Sequence, residues 1–105
     1  MLRARAHLKR ARQLQAGGNT GEFYEEIVRA LQGYLGERFH LPARPLTRAE
    51  LASSLQTRSV SATLAQQLGE LLDRCTTARV APASVALEQM EATWQEAASL
   101  LTELG

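Results

Sequence analysis

FYEEIVRALQGYLGERF, residues 23–39, decides how the rest of the chain is read. It holds four of the five aromatic residues, Phe23, Tyr24, Tyr34 and Phe39. Phe23, Ile27, Ala30, Leu31, Tyr34 and Leu35 recur at the three-and-four spacing that lines one side of an α-helix. The spacing predicts a helix over residues 21–40 that forms the centre of the core. Glu22, Glu25 and Glu26 fall in its first turns, where the macrodipole favours acids, and Glu25 stands four residues before Arg29. Gly33 and Gly36 sit inside the pattern, where each costs up to about 1 kcal/mol relative to Ala. That cost predicts a neighbouring helix crossing closely at Gly33, and the Ala-rich first helix is the expected neighbour.

Working outward, residues 2–15 read as an amphipathic helix with Ala4, Leu8, Ala11 and Leu14 on one face and Arg5, Lys9 and Arg12 on another. AGGNTG (16–21) breaks the pattern, with Gly17 expected to end the first helix and Asn19 or Thr20 to cap the second. HLPARPL (40–46) cannot continue a helix because of Pro42 and Pro45. A third helix is predicted over 47–57, opened by a Thr47–Glu50 capping box with Leu46 and Leu51 placed as a hydrophobic staple. After a turn at 58–60, Ser61 is placed to cap a fourth helix over 61–77 that buries Leu64, Leu68, Leu71, Leu72 and Cys75. TTARVAPA (76–83) reads as the last connection, with Pro82 blocking continuation and Ser84 capping a fifth helix over 84–104. In it Leu87, Met90, Trp94, Ala97, Leu101 and Leu104 form a heptad-like seam, expected to close the bundle rather than to build a coiled-coil dimer. The whole predicts one all-α domain over 1–105, a compact bundle of about five antiparallel helices.

Composition supports that class. Apolar residues make up 45% of the 105-residue chain, enough for one core. Twelve basic and eleven acidic side chains leave a formal charge of +1, which excludes an overall field that gathers nucleic acid or anionic lipid. Cys75 is the one cysteine, so an internal disulfide and a cysteine-based zinc site are both excluded. No apolar run approaches the roughly 18 residues that span a bilayer. Arg3, Arg5, Lys9, Arg10 and Arg12 crowd the first twelve residues without an acid. Bases there oppose the macrodipole, which fits a preceding membrane-spanning helix, cut off at Met1, with this basic cluster on its cytoplasmic side.

Reactive constellations are not legible. His7 and His40 share no helical turn and have no carboxylate at ligand spacing, so neither metal binding nor histidine-based catalysis is predicted. Glu25 and Glu26 diverge by about 100° on a helix, which predicts a solvated acidic face and not a dyad. The serines and threonines cluster at caps, and no phosphate-binding or nucleophile-elbow motif occurs. A non-enzymatic domain with no cofactor is the expectation. LTRAELASSLQTRSVSATLAQQLGELL (46–72) has the outline of a helix-turn-helix, but residues 47–75 carry no net charge to anchor it on phosphates.

Phe23-Tyr24, Ala30-Leu31, Tyr34-Leu35 and Arg38-Phe39, followed by Leu46-Thr47, Glu50-Leu51, Leu71-Leu72, Cys75, Arg79 and Ala81-Pro82, resemble the cytoplasmic C-terminal domain of the BatD family, which is linked to bacterial oxygen tolerance. The family tends to carry Asp after the cysteine and Phe after the arginine, where this chain has Thr76 and Val80. The resemblance implies a membrane-anchored protein whose helical tail docks Bat proteins with von Willebrand A domains and an AAA+ ATPase of the MoxR class at the cytoplasmic face of the inner membrane. Tyr24, Arg38 and Arg79 are the candidate contacts on that reading. Each also has a structural account: Tyr24 can flank the core, and both arginines sit near helix C-termini, where the dipole favours them. The alternatives are the helix-turn-helix and a structural spacer or oligomerisation unit using the seam of the fifth helix. The isolated domain is expected to be monomeric.

Overall fold

The computed structural model describes residues 2–42, 46–81 and 87–104. It is an all-α bundle of five helices: α1 (Leu2–Ala16), α2 (Thr20–Phe39), α3 (Arg48–Thr57), α4 (Ala62–Val80) and α5 (Leu87–Leu104). No strand occurs among the described residues. The central helix is α2, which packs against α1, α4 and α5, while α3 is held chiefly by α4. All six positions of the predicted stripe are buried, and Tyr24, Val28 and Phe39 join them. Burial therefore extends around much of α2. Phe23 and Tyr24 meet edge to face at 5.0 Å, and Tyr34 and Phe39 at 6.4 Å, a geometry the ring quadrupoles favour.

The helix ends follow from local chemistry. At the end of α1, Asn19 N–H donates to the Leu14 carbonyl and Gly18 N–H to that of Gln15, a Schellman motif with Gly18 at φ 75°. The left-handed residue is thus Gly18 and not Gly17. Asn19 occupies the N-cap position of α2 without a side-chain capping bond, and the Thr20 hydroxyl turns instead to Met90 Sδ, 3.7 Å away. The capping box forms as expected: Glu50 N–H donates to Thr47 Oγ1 and Thr47 N–H to Glu50 Oε1, both at 3.1 Å. Leu46 and Leu51, the expected staple residues, both pack on the core. The α3 end repeats the Schellman pattern, with Val60 N–H donating to the Leu55 carbonyl and Ser59 held at φ 64°.

Two further expectations are corrected. Helix α4 runs to Val80, so residues 76–80 are helical and not part of the connection. Threonines cost only tenths of a kcal/mol in a helix, and the Thr76 hydroxyl returns to the Leu72 carbonyl at 2.8 Å; the chain leaves the helix only at Ala81, next to Pro82. The roles expected of Pro82 and Ser84 lie outside the described residues. Gly33, in turn, is exposed, and a Cβ there would meet nothing within 4 Å. No helix crosses at that point, because α1 offers Ala4, Leu8 and Ala11 to the core and leaves the Gly33 backbone open. The tight approach is at Gly69, where a Cβ would come within 2.5 Å of Arg48 Nε as that side chain passes over α4 to reach Asp73 at 2.7 Å.

These contrasts separate the glycines by experiment. Gly33→Ala removes backbone entropy from the unfolded chain without a clash and should raise stability by up to about 1 kcal/mol. Gly69→Ala gains the same propensity but displaces Arg48 from Asp73, an exposed pair worth about 0–1 kcal/mol, and should come out near neutral. Ser59→Gly relieves a left-handed residue and should add about 0.5–1 kcal/mol. Urea midpoints at constant m-value check all three.

Candidate functional site

Glu26 lies on the wheel position shared with Phe23 and Ala30, so α2 carries its carboxylate into the interior, where 5% of the side chain remains exposed. Burying a carboxylate is costly unless it is paired, and α1 supplies the partners. His7 Nδ1 stands 2.8 Å from Oε2, Arg10 Nε stands 3.4 Å from Oε1, and Arg29 from α2 itself donates to Oε1 at 3.0 Å. An ionised carboxylate only accepts, so His7 donates from Nδ1. Burial alone would raise the Glu26 carboxyl, and the hydrogen bonds and positive charge of its partners outweigh it, leaving it below the usual range. The expected solvated acidic face is therefore half right: Glu25 pairs with Arg29 at 3.2 Å on the surface, whereas Glu26 is an interior anchor. Sequence spacing missed the His7–Glu26 pair because it joins two helices. The wheel position of Glu26 was the available signal.

A second polar cluster joins α1 to α5. The Trp94 indole N–H donates to the Leu8 carbonyl at 2.9 Å, and the Arg12 guanidinium covers the indole at 3.9 Å from its centroid. Arg12 also grips Glu91 in a two-pronged pair, and Gln15 and Gln95 donate to the same carboxylate at 3.0 and 2.9 Å. The donors, Arg12 first, draw the Glu91 carboxyl down to about 2.

Two concavities lie beside these clusters. One is a groove of about 410 Å³ with Gly33, Gly36 and Leu35 at its floor. Arg3, Ala4 and His7 of α1 wall one side, and Leu51, Leu72 and Thr76 of α3 and α4 line the other. Its lining is mainly apolar, and Arg3, Glu37 and Asp73 place charge around it. The other is a shallower cleft of about 430 Å³ between α4 and α5, with Tyr24 at its base beside Arg74, Thr77 and Thr93.

The three candidate contacts do not form one patch. Tyr24 is buried, its ring against Phe23 and its hydroxyl bonded to Thr93; burial, the largest influence, raises its phenol. Arg38 is exposed fourteen positions further along α2, about 21 Å by helical rise, with its guanidinium 5.5 Å from the Phe39 ring centroid. Arg79 is exposed in the last turn of α4. Cys75 is buried, and desolvation pushes its thiol up to about 12, which leaves it a poor nucleophile. No group of three or more His, Cys, Asp and Glu side chains placed to hold a metal ion occurs among the described residues.

A pH dependence follows from the two carboxylates. Both titrate lower in the folded chain than in the unfolded one, so their contribution to stability is complete above about 4.5 and is lost as pH falls, for Glu91 down to about 2. Urea unfolding should show stability declining across that window, and Glu91→Gln should flatten the decline. At neutral pH, Glu26→Gln should cost about 1.5 kcal/mol, since it weakens charge-assisted hydrogen bonds at a buried position.

No family model matches this chain, and neither the curated proteins nor the solved structures give a match.

Proposed function

We propose that this bundle is a non-enzymatic protein-interaction domain of a membrane-anchored, Bat-type oxygen-tolerance protein, working at the cytoplasmic face of the inner membrane. It docks von Willebrand A domain and MoxR-class AAA+ partners. The observation that carries a docking role is the groove over Gly33, an apolar concavity bordered by charge. Its floor is a helix stripped of side chain at a position where an added Cβ would meet nothing beyond its own helix turn within 4 Å. Such a trough admits a few apolar side chains from a partner while Arg3, Glu37 and Asp73 fix their register. The residue resemblance supplies the class of partner. None of the described helices is long and apolar enough to cross a membrane.

The alternatives draw less from the fold. Oligomerisation through the α5 seam would need side chains that already serve the bundle, since Met90, Ala97 and Leu101 are buried within it. In the helix-turn-helix reading, Arg48 is engaged by Asp73, and Glu70 is exposed on the would-be reading helix. That arrangement leaves little to anchor phosphates.

Capture assays with Bat von Willebrand A proteins and the MoxR-class ATPase test the proposal. Wild-type domain should enrich at least one of them over a resin control, and Gly33→Glu, which fills the groove in a fold with room for it, should reduce that capture about tenfold or more, a loss of about 1.4 kcal/mol. Enrichment of none of these proteins would overturn the reading.

A further inference from the structure

Helix α1 is attached differently from the others. Among its described side chains, only Ala4, Leu8 and Ala11 are buried, with Leu14 partly so. The small alanines bring its backbone close to α2 along the most extensive helix pair of the bundle, and they contribute little apolar side-chain surface of their own. The rest of the attachment is polar and ends on three carboxylates of other helices. Arg3 reaches Glu37 of α2 at 3.1 Å, His7 and Arg10 reach Glu26 of α2, and Arg12 with Gln15 reaches Glu91 of α5. Glu25 and Arg29 complete the charges around Glu26, and Gln95 completes the donors around Glu91. No acid lies in α1, so it has no internal ion pairs, and its bases near the N-terminus oppose the macrodipole. A 15-residue helix of this kind is marginal once detached. The Gly17-Gly18 corner gives it a hinge, with Gly18 in the left-handed conformation.

We infer that α1 is a releasable clasp, held by Glu26, Glu37 and Glu91, that comes away from the bundle as a unit before α2, α4 and α5 open. Because Arg3, Ala4 and His7 form one wall of the groove over Gly33, release removes that wall and dismantles the groove. Control of docking by this step rests on the groove being the docking site; the release itself does not. Acid and salt both loosen the clasp, the first by protonating Glu26 and Glu91 and the second by screening the exposed pairs.

Trp94 is the chain's single tryptophan, and its indole is bonded to α1, so it reports on the clasp directly. Hydrogen exchange at pH 7 on wild type, Glu26→Gln and Glu91→Gln provides the test. In wild type, amides of residues 6–16 should exchange through an opening of lower free energy and smaller urea dependence than those of 27–35 and 68–75, and either variant should speed them about tenfold. Trp94 emission should shift to the red in step. Equal opening free energies for residues 6–16 and the core helices in wild type, or no change in residues 6–16 in both variants, would overturn the inference. If Glu26→Gln fails to fold, Glu91→Gln, altered at a part-exposed position, and wild type in raised salt give the same readout. Partner capture is measured separately, so a cooperative exchange result and a failed capture remain distinct.

Discussion

A helix buried on most of its circumference must be surrounded, and α2 imposes that demand on every other element. Its apolar residues exceed one stripe: Tyr24, Val28 and Phe39 lie outside the line through Phe23, Ile27, Ala30 and Tyr34, and all are buried. An amphipathic helix is satisfied by one partner, whereas this one needs several. Helix α4 supplies Leu68, Leu71 and Cys75, α5 supplies Met90, Ala97 and Leu101, and α3 braces α4 through Leu51 and Leu55. Each Phe, Leu or Ile so enclosed contributes about 1.5–3 kcal/mol relative to exposure, which makes this apolar set the main source of stability.

The remaining side of α2 is closed by different means. Glu26 would be a severe liability in an apolar interior, and its presence obliges the covering helix to bring cations and donors. That helix is α1, which is basic, acid-free and poor in large apolar residues, a composition ill suited to independent packing. Its side chains find carboxylates on both flanks, Glu26 and Glu37 on α2 and Glu91 on α5. Apolar burial holds most of the bundle, and electrostatic complementarity places α1 upon it. The two kinds of attachment respond differently to acid and salt, which is why one helix can leave while the others stay.

The elements were legible in the sequence to the extent that their signals were local. The α2 stripe, the Thr47–Glu50 capping box and the burial of Cys75 depend on spacing within one segment, and the fold shows each of them. The end of α4 was read at residue 77 rather than Val80, because Pro82 marks the stop only loosely and helix continuation depends on weak propensities that packing easily overrides. Gly17 and Gly18 are indistinguishable by composition, and only the hydrogen-bond register at Leu14 and Gln15 selects the second. The polar clusters were not legible, because His7 is nineteen residues from Glu26 and Trp94 is eighty-six from the Leu8 carbonyl. Such pairs exist only once helix order and rotation are fixed. Of the candidate contacts drawn from resemblance, Tyr24 and Arg38 stand about 21 Å apart along α2.

Gly33 shows how an error of this kind can carry information. A glycine inside a helix costs up to about 1 kcal/mol, and the usual compensation is contact with another backbone. Gly69 has a close neighbour of another kind, because a Cβ there would strike the Arg48 side chain on its way to Asp73. Gly33 has none, since nothing beyond its own helix turn lies within 4 Å of where its Cβ would be. The fold of this domain gives no reason to prefer glycine to alanine there, and stability gives a reason against it. Its visible consequence is a bare helix surface at the floor of an apolar groove walled by α1. A cost borne by the folded chain and returned by none of its own contacts is the pattern expected where the complementary surface belongs to another molecule, and the helix that walls the groove is also the one whose attachment carries the most ion pairs.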